Sequence, residues 1–200
     1  MLAHLASVSP HAATVAALPA ASRTLWYLTR TTAVAAYVTL TLSVMLGLLR
    51  TIARASSESI SWMVDELHAF VATLAGLCVA GHLLTIRLDN YVIYTWHTLL
   101  IPGDGPYRPT AVNLGIFAFY LLVLLLLSSW LRRYIPYRTW RLVHYLSFVA
   151  FVLVTLHGWL AGSDAGEPWM RALYVGGAAG VGYLTLMRLF ARPKAQRELA

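Results

Sequence analysis

Four histidines lie inside apolar segments of the chain, in two pairs of nearly equal spacing. Thirteen residues separate His68 from His82, and twelve separate His144 from His157. A histidine within a bilayer is costly to bury and commonly serves a function. The matched spacing predicts two stacked sites, each of which takes one imidazole from each segment. Heme suits such a site, because histidine is a standard axial ligand of its iron.

The composition is typical of a polytopic membrane protein. Of the 200 residues, 59% are hydrophobic and only 12% are charged, about half the usual charged share. Mean hydropathy is +0.66. Five stretches approach or reach the about 20 residues that cross a bilayer: 25–49, 67–86, 112–131, 142–161 and 173–190. They are expected to be helices, because lipid leaves no partner for free backbone groups.

We therefore predict an all-α integral membrane protein with a bundle of five transmembrane helices, two of which ligate two stacked hemes. Residues 1–22 form an N-terminal tail, 23–192 the diheme bundle and 193–200 a cytoplasmic C-terminal tail. The first segment lacks the basic start of a signal peptide. Cys78 is the single cysteine, which excludes an intrachain disulfide and a C-x-x-C redox pair.

The net charge of +7 is interpreted as a signal of membrane orientation, and no nucleic-acid partner is expected, because the basic residues lie at helix ends. Five fall on the side of the N-terminus, namely Arg23, Arg30, Arg87, Arg108 and Arg171. Ten fall on the other side, namely Arg50, Arg54, Arg132, Arg133, Arg138, Arg141, Arg188, Arg192, Lys194 and Arg197. Because excess Lys and Arg mark the cytoplasm, we predict a multi-pass protein of a bacterial-type plasma membrane, with its N-terminus outside and its C-terminus cytoplasmic.

This orientation sorts the histidines into an inner pair, His68 and His144, and an outer pair, His82 and His157. The two levels are about 21 Å apart along the first histidine helix. An ideal α-helix turns by about 100° per residue. The side chain of His82, fourteen residues after His68, therefore points within about 40° of the direction of His68. The side chain of His157, thirteen residues after His144, points about 140° away from the direction of His144. We therefore predict an irregularity or strong tilt between Tyr145 and Leu156.

The surroundings of each ligand can also be predicted. The ring nitrogen that does not bind iron is expected to donate to a carbonyl, hydroxyl or water. Arg30 and Arg50 are candidate partners of the outer and inner heme propionates, with snorkelling to head groups as the alternative. Gly81 and Gly158 would let a porphyrin approach the backbone, unless they serve ordinary helix packing. A single histidine considered alone has a simpler interpretation too, a hydrogen bond to a neighbouring helix.

Gly176 and Gly180 form a G-x-x-x-G spacing in the last stretch. Small residues at this spacing permit close helix approach. We predict that this pair serves packing only.

Several stretches add to the histidine spacing: WYLTR at 26–30, YRP at 107–109 and YRTWRLVHY at 137–145. Together they resemble the ferric-reductase transmembrane domain family, which includes the membrane parts of NADPH oxidases, metalloreductases and bacterial heme subunits. The resemblance covers about residues 25–190. It implies a diheme b-type cytochrome, with two b-type hemes, that moves electrons from the cytoplasmic side to an acceptor at the outer face.

The 200 residues contain no counterpart of the flavin and nicotinamide domains of the oxidases and no Gly-rich phosphate loop. The expected donor is therefore a separate flavoprotein, a small soluble reductant or a membrane quinol. No catalytic side chain is predicted, because bis-histidine iron has no open position and reduction would occur at the heme edge. The alternatives are a quinol-oxidising heme anchor of a larger redox complex, a structural subunit of a membrane complex, and a transporter without heme.

Overall fold

The computed structural model describes residues 20–53, 58–90 and 92–190. These residues form seven α-helices and one short 3-10 helix. In chain order they are α1 (Ala20–Ala53), α2 (Glu58–Leu88), α3 (Trp96–Leu100), α4 (Pro109–Trp130), the 3-10 turn (Arg132–Tyr134), α5 (Tyr137–His144), α6 (Leu146–Ala161) and α7 (Pro168–Phe190). Most of the predicted N-terminal tail, the whole C-terminal tail, Arg54 and Arg192 lie outside the described residues.

Among the described residues, five spans are long and apolar enough to cross a membrane, as the sequence predicts. They are Arg23–Arg50, Ile60–Leu88, Pro109–Trp130, Tyr137–Ala161 and Pro168–Phe190. The helices extend beyond the apolar stretches, because polar residues at their ends continue the backbone hydrogen bonding without having to enter lipid. The largest difference is at α2, which begins at Glu58 although its apolar stretch begins at residue 67.

The outer surface of the bundle is apolar. Phe70 on α2 is 65% exposed and Trp130 at the end of α4 is 79% exposed. Many other large apolar side chains on the long helices also face outward. Such a surface is unfavourable in water and favourable against acyl chains. The protein is therefore a multi-pass membrane protein whose helices contact lipid.

The interior contains two small apolar clusters that join α1, α6 and α7. One is built on Tyr37, Met170 and Tyr174, and the other on Leu48, Phe151 and Val181. Glycines on α7 allow this close approach. A Cβ atom at Gly177 would lie 2.9 Å from the Tyr37 hydroxyl, and one at Gly180 would collide with Met45.

The prediction for the Gly176 and Gly180 spacing is therefore correct for one residue and wrong for the other. No atom of the described residues lies within 4 Å of a Cβ atom built at Gly176. The pair that packs is Gly177 and Gly180, three residues apart, because residues three and four apart share a helix face.

The helices α2 and α6, which carry three of the four histidines, are packed on different partners. The most extensive helix contacts join α1 with α2 and α4 with α6, whereas α2 and α6 share few contacts with each other. The backbone of α1 therefore packs on α2, which carries His68 and His82, and α4 packs on α6, which carries His157. His144 lies on α5.

The irregularity predicted between Tyr145 and Leu156 is confirmed at Tyr145. The fourth span is interrupted at Tyr145, which separates α5 from α6. The Tyr145 carbonyl accepts from the Phe148 amide three residues later, at 3.2 Å. A 3-10 turn advances about 120° per residue against about 100° in an α-helix. A tightened turn at Tyr145 therefore rotates the following helix in the direction that reduces the mismatch between His144 and His157.

Candidate functional site: two histidine pairs

His68 is oriented by the backbone of α1. Its Nδ1 lies 2.9 Å from the Ser43 carbonyl oxygen, with the Ser43 hydroxyl at 3.5 Å. A Cβ atom at Gly47, one turn further along α1, would lie 3.4 Å from the His68 ring. The imidazole thus rests on a stretch of α1 where a hydroxymethyl group and a bare glycine leave room for it.

His144 ends α5 and faces His68. The two ring centres are 6.1 Å apart and the rings are inclined by 74°. His144 stacks on Trp140 of the preceding turn, with ring centres 4.8 Å apart and an angle of 23°. Its Nδ1 is buried and has no hydrogen-bond partner among the described residues. The sequence predicts this pair, and the structure brings its members together.

His82 and His157 lie at the opposite end of the bundle, near the ends of α2 and α6. His82 Nδ1 is 3.1 Å from the Thr29 carbonyl oxygen of α1. His157 Nδ1 is 2.8 Å from the Ala111 carbonyl oxygen of α4. Each ring therefore contacts the first turns of the helix that packs on its own helix.

Gly115 determines how closely His157 approaches α4. A Cβ atom at this position would lie 2.7 Å from Nδ1 and 2.8 Å from Cε1 of the His157 ring. Any side chain would push the imidazole away, so the glycine and the Ala111 carbonyl together fix the position of the ring.

The hydrogen bonds also fix which ring nitrogen of three histidines carries the proton. A carbonyl oxygen only accepts, so Nδ1 of His68, His82 and His157 must be the donor. In the neutral ring, Nε2 then bears the lone pair that a metal ion binds. Each of these three histidines makes the predicted hydrogen bond from one ring nitrogen to a carbonyl. For His144, no such bond is found within the part of the chain that the structure describes.

The spacing of His68 and His144 suits a shared metal ion. Two metal–imidazole bonds of about 2 Å in line, with each nitrogen about 1 Å from its ring centre, put the centres about 6 Å apart. The observed separation is 6.1 Å. In the described part of the chain, no three His, Cys, Asp or Glu side chains group around a common metal position.

Both arginines predicted as propionate partners contact carboxylates of the protein. Arg30 Nε is 2.7 Å from Asp164 Oδ2, and its Nη2 contacts Oδ1. The Arg30 guanidinium also lies 3.9 Å above the Trp26 ring centre. Arg50 Nε donates to Asp65. A guanidinium has five donors, so each arginine could contact a propionate in addition to its carboxylate. The role toward propionates stays a prediction.

The loop between α3 and α4 holds the end of α6. The Tyr107 hydroxyl lies 3.3 Å from the Ala161 carbonyl oxygen, and Arg108 Nη1 donates to the Leu160 carbonyl. Arg108 has a φ of 39°, in the left-handed region, and immediately precedes α4. These contacts place the first turn of α4, with Ala111, beside the last turn of α6, with His157.

The two glycines suggested for porphyrin contact pack against neighbouring helices. A Cβ atom at Gly158 would lie 2.5 Å from the Tyr174 hydroxyl, and one at Gly81 would lie 3.5 Å from Thr32. The ordinary helix-packing interpretation therefore accounts for both. The glycines that do face histidines, Gly47 and Gly115, were missed because their distance from the histidines in sequence gives no signal of contact.

Comparison of the chain with models of known protein families, with curated proteins and with solved structures found no match.

Proposed function

We propose that the protein is a diheme b-type cytochrome that carries single electrons across the membrane. The observation that carries the proposal is the facing pair of His68 and His144. Their ring centres are separated by 6.1 Å, a distance at which both imidazoles could bind one metal ion. The proposed inner heme would be held by this pair, and the outer heme by His82 and His157.

The chain's own residues would orient the imidazoles and exclude competing ligands. The carbonyls of Ser43, Thr29 and Ala111 accept the Nδ1 protons of three histidines. This leaves Nε2 free to bind metal and makes the ligand more electron-rich. Heme, when bound, supplies reversible one-electron chemistry at iron. If both histidines of a pair held one heme, the site would supply electron transfer and would leave no place for an acceptor to bind the iron.

The proposed direction follows from the charge bias. The Arg-rich end contains the 3-10 turn and the start of α5. If it is cytoplasmic, the pair of His68 and His144 receives electrons first, and the pair of His82 and His157 delivers them to an acceptor outside. The donor would be a separate flavoprotein or a membrane quinol.

Heme content tests the proposal. Full-length protein purified in mild detergent is expected to bind about two b hemes per chain in a pyridine hemochrome assay. His68→Ala and His82→Ala are each expected to lose one heme, and a different one. His97→Ala is the matched control, because His97 is exposed in the short helix α3 and should keep both hemes.

Two results would overturn the proposal. One is a wild-type protein without a Soret band after expression with ample heme. The other is a high-spin, carbon-monoxide-reactive spectrum, which would mean that an axial position is open. Reduction of the purified bundle by quinol alone would keep the hemes and identify the donor as the membrane pool.

A further inference from the structure

An aromatic ladder runs along α5 up to the histidine. Tyr137, Trp140 and His144 are spaced by three and four residues, so they share one helix face. Tyr137 and Trp140 have ring centres 5.9 Å apart at 30°. Trp140 and His144 are closer, at 4.8 Å and 23°. Trp140 is only 8% exposed, in contrast to the lipid-facing tryptophans.

An arginine lies over the same indole. The guanidinium carbon of Arg132, in the 3-10 turn that precedes α5, is 4.5 Å from the Trp140 ring centre. The neighbouring Arg133 instead lies over Tyr134, at 4.6 Å. Arg132 therefore places a positive charge beside the ring on which His144 stacks, whereas Arg133 does not.

His144 differs from the other three histidines in what orients it. His68, His82 and His157 each donate Nδ1–H to a backbone carbonyl. His144 Nδ1 and Trp140 Nε1 are both buried without a hydrogen-bond partner in the described part of the chain. The contacts that fix the His144 ring are therefore the stack on Trp140 and the facing ring of His68.

We infer that Trp140, with Arg132 on its ring, is the positioning residue of the His144 ligand. The stack on Trp140 orients the His144 imidazole, whereas a backbone carbonyl orients each of the other three imidazoles. The inference rests on the proposed diheme function and assigns a role to two side chains outside the ligand set.

The arrangement also has an electronic consequence. An Nδ1–H that donates to a carbonyl makes an imidazole more electron-rich and favours ferric iron. His144 makes no such bond to any described residue, and Arg132 adds a nearby positive charge that disfavours the more positive ferric state. Both effects raise the reduction potential of the heme held by His68 and His144. A higher potential makes this heme a better acceptor for electrons from the donor.

Spectroelectrochemical titration and low-temperature EPR of the full-length heme-loaded protein test the inference. Arg132→Gln is expected to shift the midpoint potential of one heme to a more negative value, and Arg133→Gln is the matched control. Trp140→Leu is expected to change the low-spin EPR anisotropy of the same heme, since this signal reports the ligand ring planes. Trp140→Phe should retain the wild-type signal. Trp130→Leu, at a 79% exposed position, controls for loss of an indole.

The affected heme is identified as the one that His68→Ala removes. Selective loss of that heme in Trp140→Leu, with retention in Trp140→Phe, would also support the inference. It is overturned if both hemes are bound and Arg132→Gln and Trp140→Leu match their controls in potential and EPR signal. It is equally overturned if the shift falls on the heme that His82→Ala removes. Absence of heme from the wild-type protein is the separate result that overturns the proposed function itself.

Discussion

Replacing Gly115 with alanine would place a methyl group against the His157 ring. The new Cβ atom would lie 2.7 Å from Nδ1, 2.8 Å from Cε1 and 3.0 Å from Cγ. Nonbonded heavy atoms of this kind are most favourably about 3.5 to 4.0 Å apart. The ring must therefore retreat by roughly 1 Å, because the methyl is fixed to the α4 backbone and has no rotamer to adopt.

That movement would weaken the hydrogen bond between His157 Nδ1 and the Ala111 carbonyl, now 2.8 Å long. Loss of such a bond costs about 1 kcal/mol, and overpacking adds about 1 to 3 kcal/mol. The sum of about 2 to 4 kcal/mol corresponds to a loss of roughly 30-fold to several hundred-fold in affinity for one heme. We therefore expect Gly115→Ala to lose most of the heme that we propose is bound by His82 and His157, and to keep the other.

Heme titration of the apoprotein, followed at the Soret band, measures this affinity. Gly182→Ala is the matched control, because Gly182 lies in helix α7 and no atom of the described part of the chain lies within 4 Å of a Cβ atom built there. Gly47→Ala should have a small effect, since its methyl would meet the His68 ring at 3.4 Å. Unchanged affinity for both hemes in Gly115→Ala would refute the argument that this glycine fixes the position of the ligand.

Two further substitutions test the contacts that hold the bundle together. Asp164→Asn removes the carboxylate that pairs with Arg30 and should lower the unfolding free energy by roughly 1 to 2 kcal/mol, a figure reduced for partial exposure. Thermal melting in detergent measures the loss, with the exposed Glu167→Gln as control. Ala75→Leu enlarges a fully buried position midway between the α2 histidines and should destabilise by about 1 to 3 kcal/mol. Ala80→Leu makes the same change at an exposed position and should melt like wild type; equal melting of the two leucine variants would contradict the assignment of Ala75 to the interior.

The sequence determined the five spans, because apolar length is a local property and lipid forces each such stretch into a helix. It also predicted that the fourth span is irregular. The thirteen residues from His144 to His157 do not return to one face of an ideal helix, and a break is observed at Tyr145, within the predicted range. The pairing of His68 with His144 was predicted from spacing and helix direction, and the structure places these two rings together.

Only the tertiary structure decided what surrounds each histidine. Every residue has a carbonyl, so nothing in the sequence marks Ser43, Thr29 or Ala111 as the acceptor of a ring proton. The same holds for Gly115, one of 13 glycines, and for Arg30, whose partner Asp164 is 134 residues away. Such contacts depend on how helices distant in sequence pack, because hydrogen bonds and close approaches are set by position in space and not by residue type.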